Sequence, residues 1–143
     1  MSKTLFKVLG ASAAIALSSF ALAQQMEKTA APEGSMAYIV SPANGATVSS
    51  PVKVVFGLQG MGVAPAGVQA NNTGHHHLLI NGEQLPNLDM PLGSDVTHFG
   101  GGQTETTVTL EPGVHTLQLI LGDHLHIPHN PPVTSEKITI TVE

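Results

Sequence analysis

The chain has 143 residues, ten acidic groups against five basic ones, eight histidines and no cysteine, with a formal charge of −5 at pH 7. An acidic chain is a poor partner for nucleic acid and anionic membrane surfaces, and a chain without cysteine excludes disulfide staples, thiolate zinc ribbons and blue-copper sites. Aromatic content of 3%, with one Tyr and no Trp, leaves almost no stacking surface for bases or sugars.

Residues 1–23 read as a secretory signal. Lys3 and Lys7 supply the positive n-region, 8–22 an apolar run rich in Ala and Leu, and Ala21-Leu22-Ala23 a small-x-small site, so cleavage is expected after Ala23. The run is too short and too rich in Ser and Gly to span a bilayer, and no later stretch approaches the ~20 apolar residues a span needs. Membrane insertion is therefore not expected. No cysteine follows the cleavage site to carry a lipid, which favours a soluble, periplasmic protein. Removing the signal leaves three lysines against ten acids, a formal charge of −7. Residues 24–35 are polar and aperiodic and read as a flexible leader, and 36–143 as one domain large enough to fold by packing alone.

Short β-like runs follow at 36–40, 52–58, 76–80, 104–110, 115–121 and 137–142, separated by Gly, Pro and Asn, with a short edge piece near 46–48. Leu117, Leu119 and Leu121 fall on one face of their run, as do Ile138, Ile140 and Val142 of theirs, the pattern of strands with one buried face. "EPGVHTL" supplies a tight turn before the fifth run. Six or seven short strands at this spacing predict an immunoglobulin-like antiparallel β-sandwich, with a small barrel as the alternative. The segments 57–74 and 87–102 are too long and irregular for simple turns, and long loops on a small rigid scaffold are where function tends to sit.

All eight histidines lie between residues 75 and 129. Neutral imidazole is the commonest protein ligand for Zn, Cu and Ni, so this clustering points to a metal ion. On a strand, residues i and i+2 share a face, which sends His75 and His77 to one side and His76 to the other with Leu78 and Ile80. "HLH" at 124–126 repeats the spacing, and His129 follows past a proline that turns the chain. His76 and His115 share the parity of core residues and read as structural. His75, His77, His98, His126 and His129 read as ligand candidates, or alternatively as a hydrogen-bonded network joining loops. Met36, Met61 and Met90 could offer softer ligands, although gap-filling is their commoner use.

Other chemistries lack their motifs. There is no G-x-S-x-G elbow for a nucleophilic serine. "HFGGGQTE" precedes a strand and lacks the Lys-Ser/Thr of a phosphate loop, so its glycines read as serving positive φ or close backbone approach beside His98.

"TGHHHLLING" (73–82), "THFGGGQTETTVTLEPGVHTLQLILGD" (97–123) and "HIPHNPPVTSEKITITV" (126–142) together resemble a bacterial family of small exported proteins, the DUF4399-type domain of unknown function. Three motifs match in order and spacing over most of 36–142. The resemblance implies a periplasmic single-domain β-sandwich and no particular activity. It places the family's histidines on His75, His76, His77, His98, His115, His126 and His129, with Asp123 as the acid before the last pair. His124 falls outside the pattern, which makes His126 with His129 the better loop pair.

The expected function is thus a periplasmic protein that binds copper, or zinc, through His75, His77, His98, His126 and His129 for sequestration or delivery, with no catalytic residues assigned. Asp123 is expected to accept a hydrogen bond from a ligating imidazole or to ligate directly. Two other readings stay open. One is a copper-dependent redox enzyme resembling superoxide dismutase in layout, though without its cysteine pair. The other is a metal-free envelope module with a periplasmic protein partner.

Overall fold

Branched and leucine side chains at every second position, broken by Gly, Pro and Asn, fold here into nine strands and no helix among the described residues. The computed structural model describes residues 26–143, so the expected signal sequence lies outside them. In chain order the strands are β1 (Met36–Ser41), β2 (Thr47–Val48), β3 (Val52–Gln59), β4 (Gly62–Val63), β5 (Thr73–Ile80), β6 (Thr97–His98), β7 (Glu105–Val108), β8 (Gly113–Gly122) and β9 (Ile138–Val142). Each of the six runs read from the sequence is one of the six longer strands. The count exceeds seven because the two long loops each contribute a two-residue strand, β4 and β6, that leans on β5.

One sheet has the order β1-β3-β7, the other β2-β9-β8-β5-β4 with β6 also paired to β5. The chain leaves the first sheet after β1, touches the edge of the second as β2 in parallel with β9, and returns as β3. All longer pairings are antiparallel. This is the strand order of an immunoglobulin-like β-sandwich, and no barrel closes. Among the described residues no helix is long and apolar enough to cross a membrane.

Ala37, Val54 and Phe56 of the first sheet meet Leu78, Leu117, Leu119, Leu121 and Ile140 of the second in one apolar core. Burying each such large side chain stabilises by about 1.5–3 kcal/mol, enough in sum to dispense with disulfides. β5 is buried on both faces. Leu78 enters the inter-sheet core, and so does His76, whose ring lies tilted on Phe56 at 5.2 Å. His75, His77 and Leu79 point the other way by strand alternation. On that side Ile120 and Ile127 are also buried, outside the main core, beneath the loops that carry His98 and His126. Those loops, and the outer face of β5, make the site.

The segment read as a flexible leader is tied down over its described part. Lys28 pairs with Asp89 at 3.0 Å, Asn130 donates its backbone N–H to the Thr29 carbonyl at 2.9 Å, and Ala31 donates to the Asn130 carbonyl at 3.0 Å.

Candidate metal centre

β5 delivers the first two imidazoles. His75 and His77, two residues apart, share the outer face, and both are essentially fully buried. β6 delivers the third: His98 pairs across the ladder with His77, and Phe99 anchors the strand by donating to the His76 carbonyl at 3.1 Å. His126 arrives from the loop after β8. Each of the four rings offers one nitrogen, and these atoms all lie within 4.8 Å of one another. His75 Nε2 is 3.0 Å from His126 Nδ1 and 3.1 Å from His98 Nε2. Three of the histidines are recessed, while His98 is exposed at the mouth.

Glycines make the room. Gly122 stands opposite His75 in the β5–β8 ladder, and a Cβ there would sit 2.7 Å from His77 Cε1. A Cβ on Gly100 would sit 2.4 Å from His98 Cε1, whereas Gly102 has a φ of 80°. Both uses expected of the "GGG" run are therefore present, close approach at one glycine and positive φ at another.

Burial keeps His75, His77 and His98 neutral. Burial, reinforced by the neighbouring His126 and His98, lowers the His75 pKa to about 4. Burial and then His75, His98 and His126 lower that of His77 to about 3. His98 is lowered by desolvation and by His126. At neutral pH these rings carry free lone pairs, the form that binds metal.

Protons alone do not satisfy the group. A neutral imidazole nitrogen either donates one hydrogen bond or accepts one, so His75 Nε2 cannot bond well to both nitrogens that approach it. Both ring nitrogens of His77 are buried with no hydrogen-bond partner. Adjacent nitrogens around a cation held at about 2.0–2.1 Å stand roughly 2.8–3.4 Å apart, in square or tetrahedral arrangement. The two separations from His75 Nε2, 3.0 Å to His126 and 3.1 Å to His98, fall in that interval. The residues present fit a metal ion.

Two expected members are elsewhere. His129 is fully buried, but its Nε2 donates to the Thr73 carbonyl at 3.2 Å, and its ring lies against Gly74, on the face of β5 opposite to His75. It latches the loop to the strand. Asp123 is not one of the four grouped residues, and it hydrogen-bonds no imidazole. Its Oδ1 accepts the N–H groups of Leu125 at 2.9 Å and Ile127 at 3.0 Å, and its Oδ2 accepts the Thr29 hydroxyl at 2.6 Å. Burial alone would raise its pKa, yet these three hydrogen bonds outweigh that and hold the carboxyl below its ordinary value. His115 is structural as expected: Nε2 donates to the Glu111 carbonyl at 2.7 Å and Nδ1 accepts from the Asn81 amide at 2.9 Å. His124 lines a surface cleft beside Thr29 and Asn71. Nothing local in the sequence marks Thr29, a threonine in a polar leader, as the partner of a carboxylate 94 positions away.

The fold and site define an all-β sandwich domain with a four-histidine group that could hold a metal ion. The family described as "Domain of unknown function (DUF4399)" matches over residues 54–143, and the chain belongs to it. No curated protein and no solved structure shows detectable similarity to it.

Proposed function

We propose that the protein binds one transition-metal ion through His75, His77, His98 and His126, copper in preference to zinc, and sequesters or delivers it in the periplasm. The observation that carries this reading is the convergence of four imidazoles, each offering one nitrogen within 4.8 Å of the others, with both ring nitrogens of His77 buried and without a hydrogen-bond partner. An all-nitrogen set favours Cu(II) over Zn(II) by the general order of divalent affinities. His98, exposed at the mouth, gives an ion a way in and out without opening the fold. The expected export signal supports the periplasm as the place of action.

Calorimetric titration of the untagged apo protein with Cu(II), then Zn(II), tests this. One tight equivalent is expected, with a rise in melting temperature on loading. The paired change His75→Ala with His77→Ala, and likewise His98→Ala with His126→Ala, should abolish it. His115→Ala and His124→Ala should leave it intact. Weak multi-site uptake that survives the paired changes would refute the proposal and leave the rings as a structural network.

A further inference from the structure

The backbone of His126 is held in a conformation that non-glycine residues seldom adopt, with φ at 66°. Such a conformation persists only where the surroundings impose it. Here the imposing group is Asp123. Its Oδ1 gathers the N–H groups on either side of His126, those of Leu125 and Ile127. The backbone closes the same turn: His126 N–H donates to the Asp123 carbonyl at 2.9 Å, and Asp123 N–H to that of Ile127 at 2.9 Å.

Asp123 is 3% exposed, so each carboxylate oxygen must be supplied with a donor from the protein. The Thr29 hydroxyl supplies Oδ2 at 2.6 Å. Thr29 is itself fixed, because its carbonyl accepts from Asn130 while Asn130 accepts from Ala31. The N-terminal segment thus straps the loop that carries one of the four imidazoles.

We infer that Thr29 is a positioning residue for the metal centre, acting through Asp123 to hold His126 with its Nδ1 aimed at the other three rings. This rests on the reading of the four-histidine group as a metal site. Without the hydroxyl the buried Oδ2 lacks its donor, the carboxylate turns towards solvent, and the turn around His126 relaxes to an ordinary backbone conformation. The ring then leaves the group. The strap makes a residue some 46 positions before the first ligand part of the site's construction.

The test uses the full untagged chain, with Thr29→Val to remove the hydroxyl at constant volume and Thr29→Ser to keep it. Three quantities are read: hydrogen exchange of the Leu125 and Ile127 amides in the apo protein, Cu(II) affinity, and the Cu(II) electron-paramagnetic spectrum set beside that of His126→Ala. Thr29→Val should speed exchange at both amides, weaken Cu(II) by roughly 10- to 100-fold, as loss of groups supporting a ligand typically does, and shift the spectrum towards that of His126→Ala. Thr29→Ser should restore all three. Unchanged exchange and spectrum in Thr29→Val, or equal loss in Thr29→Ser, would overturn the inference. If the wild-type protein takes up no Cu(II), the metal reading fails, and exchange alone decides the strap: protection lost in Thr29→Val and regained in Thr29→Ser upholds it, protection unchanged ends it.

Discussion

Acidification of the metal-free protein should unfold it over a narrow range between pH 6.5 and 4. His75, His76 and His77 are all buried, and their native pKa values stand at about 4, 4 and 3 against an ordinary 6.5. For His76, on the core side against Phe56, burial alone is the cause. For the other two, burial leads and mutual repulsion among the imidazoles adds to it. The unfolded chain takes up protons near pH 6.5 while the native state does not, so the unfolded state holds more protons below that value. Stability therefore rises with pH through this window, is fully present above it, and is lost as pH falls towards the native values.

Three protons taken up together give a limiting slope of about 4 kcal/mol per pH unit, against a total domain stability of about 5–15 kcal/mol. His75 and His77 share part of their repulsion, so the slope stays below that limit. Below about pH 4 the Asp123 carboxylate, held under its ordinary value by Thr29, Ile127 and Leu125, adds a second loss in the same direction. Urea unfolding at half-unit steps from pH 7.5 to 4 measures this, and His76→Leu should flatten the slope by about one proton. A midpoint that stays constant down to pH 4.5 would show that these rings are not buried neutral.

The second large effect is expected at Gly74. A Cβ at this position would lie 2.6 Å from the Gly122 carbonyl oxygen, 2.9 Å from His129 Cε1 and 2.9 Å from Leu121 Cδ2. The first of these is backbone of β8, the partner of β5 in the sheet centre, and cannot yield without parting the two strands. Gly74→Ala should cost about 3 kcal/mol, the upper part of the range for overpacking, and should weaken any ion bound beside it because His75 is the next residue. Gly93→Ala is the matched control, since nothing lies within 4 Å of a Cβ there. It should stay within about 0.5 kcal/mol of wild type. Thermal melts of the two variants decide the point: equal melting temperatures would mean that the β5–β8 approach is looser than the structure has it.

Much of the fold was legible as period and punctuation. Leu117, Leu119 and Leu121 reported β8, and Ile138, Ile140 and Val142 reported β9, because a strand buries every second side chain and a linear pattern records that directly. The same rule separated His76 from His75 and His77. β4 and β6 were not legible, since two residues carry no period. β5 begins three residues before the run at 76–80, since Thr73 and Gly74 look like loop in sequence, although Gly74 is a strand residue at a point where a Cβ would meet the Gly122 carbonyl.

The chemical type of the site, many imidazoles and no thiolate, was determined by the sequence alone, as was the pairing of His75 with His77, since both follow from composition and from local geometry within one strand. Which loop residues join that pair was decided only in three dimensions. His126 and His129 are three residues apart and chemically equivalent, yet one reaches the group and the other is carried to the opposite face of β5. The difference lies in a turn held by Asp123 and, through it, by Thr29. Contacts across 94 positions leave no trace in spacing or period, because they depend on how the sheets bring distant segments together and not on what neighbours what along the chain.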